Sequence, residues 1–592
     1  MKNKLYQVNH LLAKVALGEE KADIVIQNGT VVNVITGELI DALDVAISNG
    51  RIAYVGKADH TIGVDTTVID ATGQYIAPGL MDGHMHVEST MLSVTQFAKI
   101  ALTKGTTSIF MDPHEIANVF GSEGVRLMHD EGQQLPLNVF TTFPSCVPAT
   151  EGLEDAGAAL TVKDIEQGLT WDNVVGLGEV MNFPGVVYGD PKMLGEINAT
   201  IKAGKAVTGH FPDGTDQMLQ AYITSGVTSD HETVTREQGL EKLRLGMYVM
   251  IREGSAWHDV KEVIKIVTED NVNTDYILLV TDDVYPQTLV EQGHINHVVR
   301  RAIEEGVDPV DAIKMATLNV ARYFKMEDDY GSITPGKCAD IILLDNLNQM
   351  KPSTVMIDGE IVVSRQALTL ALPSFTYPDH IKQSIHVKAP LKKSDFVISA
   401  KNNEINATVN VIKAIENSAR TALAEAILQV IEGEVQADIS QDVIKLACID
   451  RHHKSGDISV AFTQGFQLKS GAVASTVAHD SHNLLVMGAN EDDMVIAANE
   501  LIASGGGMVV VEDGHVLAEV SMPIAGLMSD QPAELVVEQV KELENAWKKL
   551  GCPIHAPFMT FSLIALPVIP EVRISNRGLV DVTKFELIDV VK

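Results

Sequence analysis

Between residues 76 and 330, short apolar runs alternate with stretches of helical periodicity, and no other feature restricts the fold of this chain as tightly. Eight candidate strands lie there: "YIAPGLMDGH", "TTSIFMD", "LNVFTTF", "VVGLGEV", "KAVTGHF", "VTSDH", "MYVMI" and "YILLVTD". The segments between them, such as "TMLSVTQFAKIALTKG" and "DGTDQMLQAYITSG", read as helices. Eight strand–helix units within about 250 residues fit a closed (β/α)8 barrel better than an open sheet.

The flanks read differently. Residues 22–75 hold β-type runs, "ADIVIQNGTVVNVI" and "LDVAISNGRIAYVG", each with an Asn-Gly pair that favours a tight hairpin turn, behind an N-terminal stretch of helical rhythm. After the barrel, "GSITPGKCADIILLDNLNQMKPSTVMIDGEIVV" returns to short strands with Asp-Gly at a turn. The expectation is one small composite β domain built from residues 1–75 and 331–380, around a barrel of residues 76–330. Residues 387–592 mix strands with helices, among them "EDDMVIAANELIASGGG" and the amphipathic "AELVVEQVKELENAWKKLG", and are long enough for a separate C-terminal α+β domain.

A chain of 592 residues is too long for a single core, which suits that division. Its 79 acidic and 45 basic residues give a formal net charge of −34, which repels nucleic acid and anionic lipid and accommodates a small neutral or cationic partner. No apolar run approaches the roughly 20 residues of a spanning helix, so no membrane association is expected. The N-terminus lacks the apolar core and cleavage site of a secretory signal, so the expected location is the cytoplasm. Cys146, Cys338, Cys448 and Cys552 lie far apart without a CxxC pair, which predicts buried thiols in a reducing compartment rather than a thiolate zinc site.

Chemistry-bearing residues gather at one kind of place. In a strand, residues i and i+2 share a face, so His84 and His86 of "GHMH" converge, and at the C-terminal end of a first barrel strand they point into the mouth. The fourth strand ends with Glu179, the fifth with His210, the sixth with His231 and the eighth with Asp282. Six nitrogen or oxygen ligands at the same topological position predict a metal site.

This constellation resembles the amidohydrolase superfamily, whose barrels carry HxH on strand one, a bridging carboxylate on strand four, histidines on strands five and six, and an aspartate on strand eight. Within it, "PGLMDGHMHVES", "DPHEIANV", "GEVMN", "SDHE", "TDD" and "SGAVASTVAHDSHN" resemble the adenine deaminase family, over nearly the whole chain. The resemblance implies that His84, His86 and Asp282 ligate one divalent metal ion, that His210 and His231 ligate a second, and that Glu179 bridges them where many relatives use a carboxylated lysine. It favours manganese or iron(II) over zinc, a choice that the imidazole–carboxylate set alone does not make. Superfamily barrels often associate, so a homo-oligomer of unspecified size is expected.

The implied reaction is hydrolytic deamination of adenine, a purine base, to hypoxanthine and ammonia by a metal-bridged hydroxide. Asp282 is expected to take the proton of that hydroxide and pass it to the leaving amine. A second acid must protonate a ring nitrogen. Glu232 is the first choice, with His114 and Glu115 of "MDPHE" as competitors. Adjacent strand residues point opposite ways, so Glu232 reaches the mouth only if the chain has already entered a loop. Glu115, together with His479 and His482 of "HDSHN", is expected to touch the substrate, although that loop could equally hold another metal. Rival readings are a superfamily hydrolase acting on a cyclic amide or another aminated heterocycle, and a non-catalytic binding protein on the same scaffold. A cytidine-type zinc deaminase needs P-C-x-x-C, which is missing from the sequence.

Overall fold

The computed structural model describes residues 3–255, 257–401, 405–416 and 418–592. Strand β1 (Leu80–His86) pairs in parallel with β2 (Thr106–Met111), β2 with β3 (Asn138–Phe143), β3 with β4 (Val174–Val180), and β4 with β5 (Ala206–Gly209). A second parallel group holds β6 (Ser229–Asp230), β7 (Tyr248–Arg252) and β8 (Ile277–Val280). Beyond Thr281 the two-residue β9 (Asp282–Asp283) continues the eighth strand and pairs with β1, which links the two groups. At the other seam, Thr228 N–H donates to Val207 O at 3.1 Å. This is the strand order of a (β/α)8 fold.

Every residue of β1, β2, β3 and β8 is buried, as expected for parallel strands covered by helices. Some of the helices start where the sequence supplies a side-chain cap. Ser93 Oγ accepts the Gln96 N–H at the head of Val94–Thr103, and α1 (His114–Gly132) follows Pro113. Asp190 accepts the Lys192 and Met193 N–H groups at the head of α2 (Pro191–Lys202), which carries proline at its first position. Phe110 stacks on Phe324 at 3.9 Å and, with Phe140, Tyr323 and Leu278, fills the end of the barrel where the strands begin. The opposite end is left for chemistry.

A nine-stranded sheet joins the two β-rich flanks. Tyr75–Pro78 pairs antiparallel with Ile341–Leu344, matching Ile76 with Leu343. Two of the three turn signals act as expected: Asn49-Gly50 and Asp358-Gly359 take left-handed conformations between hairpin strands. Asn28-Gly29 does not turn the chain. Strand Ile24–Asn33 runs through it with a bulge, Asn28 N–H donates to Asp44 Oδ1 at 2.9 Å, and a side chain at Gly29 would lie 2.5 Å from Ile76. The stretch "YIAPGLMDGH" is likewise two strands, because Tyr75–Pro78 belongs to this outer sheet and the barrel begins at Leu80.

Residues from 406 onward build a second nine-stranded sheet. Helix Glu491–Ser504 covers one face; Asn490 caps it, three acidic residues occupy its first turn and Gly505 ends it at φ 89°. On the other face lies α3 (Ala533–Lys549), with Val536, Val540, Leu543 and Trp547 buried at helical spacing. That face is continuous with the barrel, since Trp547 and Phe97 of the first barrel helix belong to one apolar core. Polar ties reinforce it: Ser575 Oγ donates to Leu153 O at 2.6 Å, and Arg577 pairs with Asp155 at 2.6 Å. Next comes α4 (Pro557–Leu563). All four cysteines are buried, and among the described residues no helix is long and apolar enough to cross a membrane.

Candidate active site

The rim where the barrel strands end brings the six side chains together. His84 and His86 share one face of β1, with ring centroids 4.9 Å apart; His231 stacks on His84 at 4.1 Å. Glu179, in β4, lies among the imidazoles: Oε1 is 3.3 Å from His86 Nε2 and 4.0 Å from His84 Nε2, and Oε2 is 2.6 Å from His210 Nδ1 and 3.1 Å from His231 Nε2. Asp282 Oδ1 is 3.3 Å from His86 Nε2 and 3.6 Å from His84 Nε2. All six are buried.

Local structure explains the aim of these groups. His86 Nδ1 donates to Asp112 O at 2.9 Å, which turns Nε2 toward the carboxylates. Asp112 Oδ2 accepts the Glu179 N–H at 2.7 Å; a side chain at Gly178 would come within 2.5 Å of that carboxylate. Asp82 holds Thr281 through its N–H at 3.2 Å and its hydroxyl at 2.5 Å, and the chain then turns into the left-handed region at Asp282 (φ 60°). Strand β6 stops at Asp230, so His231 and Glu232 lie in the following loop and both face the mouth.

The cluster has the chemistry of a cation site. His84 Nε2 is buried without a hydrogen-bond partner, and His84–His86–Glu179, His84–His231–Asp282 and Glu179–His210–His231 each bring three ligand atoms within 4.8 Å. Without a cation, protons take its place. Burial works against charge on His231, but Glu179 and Asp282 outweigh it and lift its pKa to about 9. Burial would raise the carboxyls of Glu179 and Asp282, yet the facing imidazoles, and Arg252 beside Asp282, hold both well below the usual carboxylate range.

Above the cluster is a cavity that opens to solvent. Met181 and Trp257 from the barrel loops, with Ala419, Leu563, Leu566 and Ile569 from the C-terminal part, give it apolar walls. His114 and Glu115, at the head of α1, border it, as do His479 and Asp480. His114 Nδ1 is 3.5 Å from Glu179 Oε1, and Ser89 Oγ, whose hydroxyl donates to Asp283 Oδ1, lies 3.2 Å from Glu115 Oε1. Burial raises the Glu115 carboxyl against the opposing pull of His479 and His114. His482 stands one layer back from where sequence reasoning put it. It does not border the cavity; its Nδ1 accepts the Ala478 N–H at 3.3 Å, and its Nε2 is 4.0 Å from Glu115 Oε2.

Two contributors escaped sequence reasoning. Arg252, the last residue of β7, donates to both Glu232 and Asp282. The apolar wall at residues 563–569 is nearly three hundred positions from the last ligand in the sequence and carries no motif.

A barrel of parallel strands carrying this histidine–carboxylate rim defines a hydrolase of the amidohydrolase type, and the amidohydrolase family model matches residues 75–362. The model of the adenine deaminase C-terminal domain matches residues 418–586. The chain is 50% identical over 588 residues to adenine deaminase of Moorella thermoacetica and, over the same length, to that of Clostridium botulinum; each match covers 99% of this chain and 98% of the relative. Adenine deaminase of Mesorhizobium japonicum is 46% identical over 582 residues, covering 98% of this chain and 96% of that one. The chain belongs to the adenine deaminase family.

Proposed function

We infer that the protein hydrolyses adenine to hypoxanthine and ammonia. The observation that carries this reading is the buried cluster of His84, His86, Glu179, His210, His231 and Asp282 beneath an apolar-walled cavity, in a chain about half identical to adenine deaminases along its length. Met181, Trp257, Leu563 and Leu566 offer the flat base apolar contact.

Two divalent cations, manganese or iron(II), would be held by His84, His86 and Asp282 and by His210 and His231, with Glu179 shared; when bound they supply a water acidic enough to lose a proton near neutral pH. Asp282 Oδ1, which faces the imidazoles, takes the proton of the attacking water and returns it to the departing ammonia. The ring nitrogen needs a donor that keeps its proton. Glu232 reaches the mouth, but Arg252 engages both of its oxygens and outweighs the effect of burial, holding its carboxyl below the usual range. Glu115 suits the task better, because it borders the cavity and burial favours its protonated form. His114 and His479 flank it and orient the base.

In this reading residues 76–330 carry the ligands, residues 387–592 close the cavity, and residues 1–75 with 331–380 brace the barrel. A net charge of −34 favours a small uncharged base as partner over nucleic acid or an anionic membrane, in a cytoplasmic enzyme that forms homo-oligomers.

The test is turnover by metal-stripped protein reconstituted with Mn2+. Adenine should yield hypoxanthine and ammonia in equal amounts. Turnover of a cyclic amide, with none of adenine, would replace this reading by the rival hydrolase.

A further inference from the structure

Arg252 lies between the ends of the sixth and eighth strands, and its guanidinium serves three carboxylates. Nη1 donates to Asp282 Oδ2 at 3.0 Å and to Glu232 Oε1, Nη2 donates to Glu232 Oε2 at 3.2 Å, and Nε donates to Asp259 Oδ2 at 2.7 Å. Its side chain is 4% exposed and lies 5.2 Å from the Trp257 ring centroid. A buried cation in a fixed fork constrains whatever it binds far more than a mobile surface charge does.

The consequence falls on Asp282, whose two oxygens face opposite ways. Oδ1 meets His84 and His86, and Oδ2 meets Arg252. We propose that Arg252 is a positioning residue that divides the Asp282 carboxylate, reserving Oδ2 for the guanidinium so that only Oδ1 is offered to a cation and to the proton of the attacking water.

A carboxylate free to rotate could chelate a cation through both oxygens, which would turn Oδ1 away from the proton of the attacking water. The fork also occupies Glu232, which fixes that side chain as a wall beside His210 and His231 rather than a third ligand; Glu232 Oε1 stands 3.9 Å from both imidazoles. A lysine offers one donor nitrogen and cannot make the same division. The role in proton transfer rests on the deaminase reading, whereas the division of the carboxylate does not.

The experiment uses the full chain. Arg252→Met should lower kcat for adenine about 10–100-fold in the Mn2+-loaded enzyme, with KM within about threefold of wild type. Calorimetric titration of Mn2+ into the metal-free variant should show binding at least as tight as in wild type, because a cation beside Asp282 has gone. Guanidinium ion added to Arg252→Ala should recover roughly tenfold of the lost kcat, and Arg252→Lys should stay low.

A kcat within about threefold of wild type in Arg252→Met would overturn the proposal. So would metal affinity falling in step with kcat in a variant of native circular dichroism, which marks a scaffold role. The titration needs no turnover, so a wild-type protein inert toward adenine would sink the functional reading and leave this test standing.

Discussion

At the level of single residues, Glu179 touches the most. Its carboxylate meets five imidazoles, those of His84, His86, His114, His210 and His231, so its charge is what a pair of cations would share. Glu179→Gln should therefore lower metal content and ammonia release together, with affinity down roughly 10–100-fold; two retained metals and full activity, read by elemental analysis beside the assay, would refute the shared ligand. Asp282→Asn should cost about 10²–10⁴ in kcat even where metal remains, since an amide cannot accept the proton. Turnover close to wild type would remove Asp282 from that role. Glu115 acts protonated and burial raises its carboxyl, so activity should persist above the ordinary carboxylate range and fall only as that proton is lost. Asp282 acts ionised and its carboxyl is held well below the usual carboxylate range, so it does not set the acid limb within that range. Glu115→Gln should lower kcat and erase the basic limb; a limb left in place would assign it to another group.

Among the elements, α2 carries a separate cost. Glu196 is fully buried in that helix, neither carboxyl oxygen has a hydrogen-bond partner, and burial pushes its pKa up to about 8 from an ordinary 4.5. As pH rises from 4.5 the unfolded chain releases this proton while the folded one retains it until about 8. Folding is thus increasingly penalised across that window and no further above it. Glu196→Gln should raise the melting temperature more at pH 8 than at pH 5, and an equal gain at both would show that the carboxyl is not the cause. The strands explain what the sequence made legible. His84 and His86 could be placed because alternation is a property of any strand, and Glu179, His210, His231 and Asp282 because each closes an apolar run. Arg252 also ends a strand, but an arginine there carries no sign of which carboxylates it will meet. Asn28-Gly29 misled because the same dipeptide serves a hairpin and a bulge, and only the approach of Ile76 decides between them. His482 misled because loop residues have no periodicity from which to read a direction.

For the whole molecule, the apolar core that joins α3 to the first barrel helix makes the C-terminal part a structural partner of the barrel as well as a wall of the cavity. A chain ending before Val387 should expose that face and lose Ala419, Leu563, Leu566 and Ile569 from the cavity. It should show aggregation by light scattering and no adenine turnover; a monodisperse fragment with undiminished turnover would take residues 387–592 out of the mechanism. The full-length form can be probed at the same wall. Leu566→Ala should raise KM for adenine more than it lowers kcat, since the lost contact is to the bound base and not to the reacting atoms, and an unchanged KM would place the base elsewhere.

The order of synthesis gives this wall a further consequence. Asp282 leaves the ribosome 287 residues ahead of Ile569, an interval of about 15–60 s at common elongation rates. Throughout that interval Leu563, Leu566 and Ile569 are not yet available to cover the histidine cluster. A barrel that folds within that interval would meet cations with its mouth still open.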